Sequence, residues 1–476
     1  MATKKADKQG HAAHMKKADS QLGLPGKFQR SIKVTMMGAG SAFTPPLMSD
    51  ILQIPNSGPI TIALVDIDDR RLKINLGLIK TLAKNLGRDD VTVLASTDRK
   101  KVLPGTDYII NCIEVSGVDC VRFDNDIPLK YGIDQCIGDT IGPGGLFKGL
   151  RTIPVFLEIL KDAERLCPNA IVLNYTNPMN MLCLAAGISS SMQVVGLCHS
   201  VQGTSHILAR RAGVTYEEMD WECGGINHLA WFTKLAHNGK DLYPILKKKA
   251  QQDLAGKPSD PNDTADLVRK DIMLHFGYFV TESSGHFSEY VPYYRKRKDL
   301  IEKYCRPGYD GGSSFYADGW PQWRKAADEK RMQMVKGELP VGWPRTWEYA
   351  SWIIEAREKN SPFRIHGNVM NRVNGAGPLI SNLPVDGCVE VPCMIDRNGI
   401  NPCVFGKLPP QVAALCDANM RFFELASQAA VERSKELAIL ALMLDPLTSA
   451  VCAPAEIKKM TLELFKAETP FLKGFK

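Results

Sequence analysis

A Rossmann-type, doubly wound parallel α/β sheet over residues 31–199, followed by an α+β domain over residues 200–476, is the fold class this sequence predicts. Three observations predict it. Six short, continuously apolar, β-branched runs recur in the first part of the chain. Helical patterns separate them. A glycine-rich turn follows the first run directly, and an aspartate closes the second. Continuous apolar runs suit parallel strands covered on both faces. Strand–helix alternation with short loops is the pattern of a doubly wound domain.

The first run, Ile32-Lys-Val-Thr-Met-Met37, ends at Gly38, and the second, Ile60-Thr-Ile-Ala-Leu-Val65, ends at Asp66. Val91-Thr-Val-Leu94, Tyr108-Ile-Ile-Asn-Cys112, Ala170-Ile-Val-Leu173 and Val194-Val-Gly-Leu197 follow. Leu72, Ile74, Leu76, Ile79 and Leu82 fall at helix spacing within residues 70–86, as do Ile153, Val155, Phe156, Ile159 and Leu160 within 150–166. Beyond residue 200 the texture changes. Residues 200–300 are richer in aromatics and His. Residues 305–325 and 336–346 are rich in Gly, Pro and Trp and read as loops. Val389-Glu-Val-Pro-Cys-Met394 reads as a strand, and 410–467 as mainly helical.

The length of 476 residues implies two or three packed units. With 44% hydrophobic and 23% charged residues, a disordered chain, a collagen-like repeat and a coiled coil are excluded. No apolar run reaches the ~20 residues of a membrane span, so no membrane partner is expected. Residues 1–30 carry seven Lys/Arg against two Asp, so +5 of the net charge of +7 sits there and the body is nearly neutral. That balance argues against a nucleic-acid surface. The basic head lacks the apolar core of a secretory signal and reads as a disordered tail. Thirteen cysteines, an odd number without a CxxC pair, fit reduced thiols and a cytoplasmic location better than a disulfide framework.

The turn Gly38-Ala39-Gly40-Ser41-Ala42-Phe43 opens a helix after strand one. Such a turn lets backbone approach a pyrophosphate, whose charge the helix N-terminus favours. Asp66 at the end of strand two can accept hydrogen bonds from a ribose diol, which selects NAD over its 2′-phosphorylated form. The alternative is a tight turn with no ligand.

Cys198 and His199 leave the sixth strand, where ligands of open α/β sheets bind. Asn227-His228 lies about thirty residues on. A thiolate and an imidazole can hold a divalent cation and leave positions open for a diol; the alternative is a buried filler thiol and a hydrogen-bonded core histidine. Asn174-Tyr175-Thr176-Asn177-Pro178 presents two amides at the same sheet edge, or is an ordinary turn. His286-Phe-Ser-Glu-Tyr290-Val-Pro-Tyr-Tyr-Arg295 is either functional or an aromatic packing patch.

Taken in order with Gly138-Asp139-Thr140-Ile141-Gly142-Pro143-Gly144-Gly145 and the stretch from Asn382 to Pro410, these segments resemble glycoside hydrolase family 4, the NAD- and divalent-metal-dependent glycosidases. The Cys-His-Ser-Val form at 198–201 and Phe279-Val-Thr-Glu-Ser-Ser284 are similar to the α-galactosidase branch. The resemblance implies that the second domain is catalytic and oligomerising, in a homodimer or homotetramer. It implies Cys198 and His228 as ligands of Mn²⁺ and Tyr290 as catalytic base, its phenol pKa of about 10 lowered by the cation. His199 stands where some branches carry an acidic proton donor. Gly38, Gly40, Ser41, Ala42, Phe43, Asp66 and Asn177 are the candidate cofactor-binding residues, and Asn177, Asp139, Asn227 and Arg295 the candidate substrate-binding ones.

The implied reaction is cleavage of an α-glycoside, foremost an α-galactoside, by transient oxidation at C3, proton removal at C2, elimination and addition of water. That route dispenses with the carboxylate pair on which ordinary glycosidases depend. Related sugars (α-galacturonide, α-glucuronide, α-glucoside) are alternatives, with Arg295 or Lys148 the cation a uronate would need. An NAD-dependent hydroxy-acid dehydrogenase of the lactate/malate type and a non-catalytic NAD sensor are the rival readings.

Overall fold

The computed structural model describes residues 23–261, 263–372 and 377–476. Its six expected strands all form: β1 (Ile32–Met37), β2 (Ile60–Val65), β3 (Val91–Ser96), β4 (Tyr108–Asn111), β5 (Ile171–Asn174) and β6 (Gln193–Gly196). They lie in the order β3-β2-β1-β4-β5-β6, all parallel. β4 and β5 are buried at every position, as continuous apolar runs demand. The edge strand β3 alternates between half-buried and exposed residues. The chain order reverses between β1 and β4, which makes a crevice beyond their carboxyl ends.

The same sheet continues into the second half of the chain. β7 (Met219–Ile226), β8 (Leu229–His237), β9 (Lys240–Asp241), β10 (Phe279–Val280), β11 (Phe363–Met370), β12 (Cys388–Asp396) and β13 (Gly399–Pro402) extend it antiparallel as β6-β11-β12-β7-β8-β10, with β9 on β8 and β13 on β12. Two joints are narrow: β11 meets β6 only at Asn368–Gly196, and β12 meets β7 only at Glu390–Gly225. Helices Gly142–Leu166, Met179–Ser189 and Pro410–Glu432 pack together against this sheet.

Two expectations are corrected. Residues 23–30 are not part of a solvated tail. Phe28 is buried, Leu24 N–H donates to Glu355 at 2.8 Å, and Arg30 pairs with Glu358 and Asp107. Residues 1–22 of that expected tail lie outside the described residues. Residues 315–325, read as loop, begin the helix Phe315–Val335 despite Gly319 and Pro321. Its buried contacts at Ala317, Arg331 and Met334 outweigh the poor local propensity. Among the described residues no helix is long and apolar enough to cross a membrane.

Candidate active site

The glycine turn is built for close approach. Gly38 has φ 77°, and a Cβ there would stand 2.4 Å from the Cys112 carbonyl oxygen. Gly40 N–H donates to Asp66 Oδ2 at 2.7 Å, and Asp68 N–H to Oδ1 at 2.8 Å. The carboxylate is thereby fixed at the end of β2 with lone pairs left for a diol. Ser41 and Ala42 lead to the helix Thr44–Leu52. Phe43 is exposed, and its ring lies 6.1 Å from Tyr175 and 6.3 Å from His199. This crevice fits a dinucleotide at the β1/β4 switch point.

Three side chains from distant stretches converge beside it. A Cys198 Sγ, a His228 ring nitrogen and a Glu282 oxygen all lie within 4.8 Å of one another. Cys198 sits just past β6. His228 closes the two-residue turn between β7 and β8, and Glu282 follows β10. His228 has φ 62° and Glu282 φ 69°, conformations a side chain adopts at a cost of order 1–3 kcal/mol. Strain at two of three converging groups marks a site where position outranks stability. Thiol, imidazole and carboxylate form a donor set for a divalent transition metal. Among the described residues, His228 Nδ1 and both amide atoms of Asn227 are buried without a hydrogen-bond partner, as groups awaiting a ligand are. The residues therefore fit a metal-bound sugar.

Electrostatics supports the same reading. Burial, reinforced by Glu282 and Glu390, pushes the Cys198 thiol well above its usual range; a coordinated cation is what makes such a sulfur a thiolate. Burial lowers the His228 pKa to about 4, the neutral form a metal needs. Against its own desolvation, the neighbouring imidazoles, above all the protonated His286, hold the Glu282 carboxyl below its usual range.

A polar chain runs on from this trio. His286 Nδ1 lies 3.3 Å from Glu282, and its Nε2 lies 3.7 Å from Asp139. Against burial, these carboxylates raise the His286 pKa to about 10. Asp139 also accepts from Asn177 Nδ2 at 3.2 Å and pairs with Lys148 at 3.4 Å, which in turn holds Glu114 at 3.0 Å. Asn177 and Asp139 are thus brought to the trio's edge. Tyr290 is fully buried, its ring 6.3 Å from His228, and its hydroxyl has no hydrogen-bond partner among the described residues. Burial, with Asp139, Glu289 and Glu282, pushes its phenol well above 10, so any lowering has to come from a cation in the trio. His199 is half-exposed and bonded to Glu348, whose charge raises its pKa against burial.

Arg295 is the one substrate candidate the structure places elsewhere. Its guanidinium is wholly buried and bonded to Asp134, Ser288 Oγ at 3.2 Å and the Gly311 carbonyl at 3.0 Å. It ties Ser288, two residues before Tyr290, to Asp134 and Gly311, and no part of it is exposed. Sequence reasoning missed roles for Glu282, His286, Glu348 and Glu390. The Thr281-Glu282-Ser283-Ser284 stretch is the only signal that points near Glu282, and it carries no spacing to Cys198 or His228.

Residues 33–214 match the profile described as "Family 4 glycosyl hydrolase", and residues 223–448 match "Family 4 glycosyl hydrolase C-terminal domain". An alpha-galactosidase of Bacillus subtilis (strain 168) is 38% identical over 448 residues, spanning 93% of this chain and 100% of the relative. An alpha-galactosidase of Rhizobium meliloti (strain 1021) is 36% identical over 463 residues, spanning 93% and 89%. Among solved structures, the 6-phospho-beta glucosidase of Thermotoga maritima with manganese, NAD+ and glucose-6-phosphate superposes with a TM-score of 0.74 at 23% identity, covering 92% of this chain and 99% of that one, a likeness of fold.

Proposed function

The chain belongs to family 4 of the glycosyl hydrolases, and we propose that it cleaves α-galactosides with NAD⁺ and Mn²⁺ as its cofactors. The observation that carries this is the convergence of Cys198, His228 and Glu282 beside Tyr290 and next to the nucleotide crevice. The α-galactosidase relatives, aligned over nearly the whole chain, support the choice of sugar.

NAD⁺ supplies a reversible two-electron oxidation of a sugar carbon, and the divalent cation supplies Lewis-acid polarisation. The protein's residues do the rest. Asp66 orients the ribose, and the glycines admit the pyrophosphate. Asn177 and Asn227 bind sugar hydroxyls, Asn177 fixed by Asp139. Tyr290 Oη takes the proton from C2, and its burial keeps bulk water from competing. His199, held toward the imidazolium by Glu348, gives a proton to the leaving oxygen and recovers it from solvent.

A uronic acid is disfavoured by charge. Lys148 is already shared between Glu114 and Asp139, and Arg295 is committed to Asp134, so neither is offered to a carboxylate on C6. A thiolate ligand and 13 free thiols suit a reducing cytoplasm. Assembly as a homodimer or homotetramer completes the proposal and is read directly by light scattering.

The test is a panel of p-nitrophenyl α-glycosides with NAD⁺, Mn²⁺ and a thiol. The α-galactoside should turn over fastest, with no net NADH. Accumulation of NADH from a hydroxy acid, without glycoside cleavage, would replace this reading with a dehydrogenase.

A further inference from the structure

One face of the helix Phe315–Val335 runs along the whole nucleotide crevice. Trp320, Arg324, Asp328 and Arg331 recur at helix spacing, so they share that face. Arg331 Nη1 donates to the carbonyls of Gly40 and Ser41 at 2.9 and 3.0 Å and to Asn75 Oδ1 at 3.0 Å. It therefore grips the glycine turn itself, the β1 rim of the crevice. Asp328 pairs with Arg71 and with Arg331. Trp320, eleven residues and about 16 Å of helix before Arg331, lies 5.4 Å from Lys148 Nζ, beside the Asp139 network.

Arg324 lies between these two ends. Its Nη1 stands 2.4 Å from where a Cβ on Gly117 would be, directly over the loop that leaves β4. Ser116 and Gly117 both have positive φ, 74° and 58°, and Gly117 has no side chain to hold the guanidinium off the backbone. The half-buried Arg324 has no carboxylate within 4.0 Å among the described residues; Asp328, Glu114 and Asp68 act on it only from farther off. Arg71 is paired with Asp68 and Asp328, and Arg331 shares Asp328, but Arg324 has no such pair among the described residues. A guanidinium without a paired anion thus hangs over the β4 rim, opposite the turn that Arg331 holds. A doubly charged pyrophosphate is the chemistry that suits it, since guanidinium forks match phosphate oxygens.

We propose that this helix is a clasp over the bound dinucleotide and that Arg324 is the cation that pairs its pyrophosphate. The inference rests on the NAD-dependent reading above and deepens it. It assigns cofactor retention to a segment delivered from the second half of the chain.

The test titrates the full-length protein calorimetrically with NAD⁺, ADP-ribose and adenosine. Arg324→Gln should weaken NAD⁺ and ADP-ribose tenfold to a hundredfold, the range for a lost charge-assisted pair, and leave adenosine and the melting temperature unchanged. Its affinity for NAD⁺ should also depend less steeply on salt. Arg324→Lys should restore part of the loss. NAD⁺ binding by Arg324→Gln within twofold of the parent overturns the clasp and leaves the functional reading intact. Equal losses for adenosine and NAD⁺, or a lowered melting temperature, make Arg324 structural and also overturn it. A parent chain that binds no NAD⁺ overturns the functional reading first.

Discussion

Replacing Gly38 with Ala tests the nucleotide crevice by a single methyl group. Gly38 has φ 77°, a conformation that costs a residue with a side chain about 1–2 kcal/mol. The added Cβ would lie 2.4 Å from the Cys112 carbonyl oxygen and 2.6 Å from its carbon. Both are backbone atoms in the strand end next to β1, so no side chain can rotate away. Overpacking of this kind costs about 1–3 kcal/mol, which gives a total near 2–5 kcal/mol. Relief requires the turn to move, and Gly40 N–H then loses its place against Asp66. Gly58 provides the control, with φ 65° but no atom of the described residues within 4 Å of its Cβ position. Gly58→Ala should lose only the ~1–2 kcal/mol conformational part and bind NAD⁺ normally. Gly38→Ala should lose more in urea denaturation and bind NAD⁺ at least tenfold more weakly by calorimetry. Indistinguishable behaviour of the two variants in both assays would refute the close-approach argument.

Tyr290→Phe should abolish most exchange of the C2 proton with deuterated water while Mn²⁺ affinity persists; undiminished exchange, followed by NMR, removes Tyr290 from the base role. Arg295→Met should destabilise the protein by about 3–5 kcal/mol, because it strands Asp134 beside a buried cavity, yet leave KM for the α-galactoside unchanged. A tenfold rise in KM at native stability would return Arg295 to the substrate. In metal-free protein, His286 keeps its proton up to about pH 10 while the unfolded chain releases it near 6.5. The native state then binds more protons, so stability should fall as pH rises through that window, by at most ~1.4 kcal/mol per unit. Denaturation midpoints measured from pH 6.5 to 10 should show this decline, and His286→Gln should flatten it.

The parallel half of the sheet is legible because each strand announces itself locally. The runs at 32–37 and 60–65 are observed without displacement, and the others shift by one or two residues. In the antiparallel half the run at 389–394 announces β12, but the other strands are hidden for a physical reason. β7 opens with alternating exposed residues and carries Gly224-Gly225, while β11 joins the first half through one residue pair. Such nonlocal pairing leaves no periodic trace. The helix Gly142–Leu166 begins eight residues before the expected 150, because its first turn is the Gly142-Pro143-Gly144-Gly145 run that propensity counts as loop. At the site, Cys198 and the Asn177 segment follow strand ends, where chemistry is expected. Glu282 follows a two-residue strand, 84 residues beyond Cys198, so only the folded chain brings them together. Arg295 errs in the opposite way: an arginine beside tyrosines reads as a binding group, but burial turns it into a brace.

In the proposed site Cys198, His228 and Glu282 hold one cation next to the nucleotide. Replacing Mn²⁺ by Co²⁺ tests it most directly, since a thiolate bound to cobalt gives a charge-transfer absorption. One Co²⁺ per chain with that band is the expected result. Cys198→Ser should remove the band, Glu282→Gln should weaken Co²⁺ at least tenfold, and both should keep NAD⁺ affinity. An unchanged band in Cys198→Ser, or full Co²⁺ affinity in both variants, would contradict it.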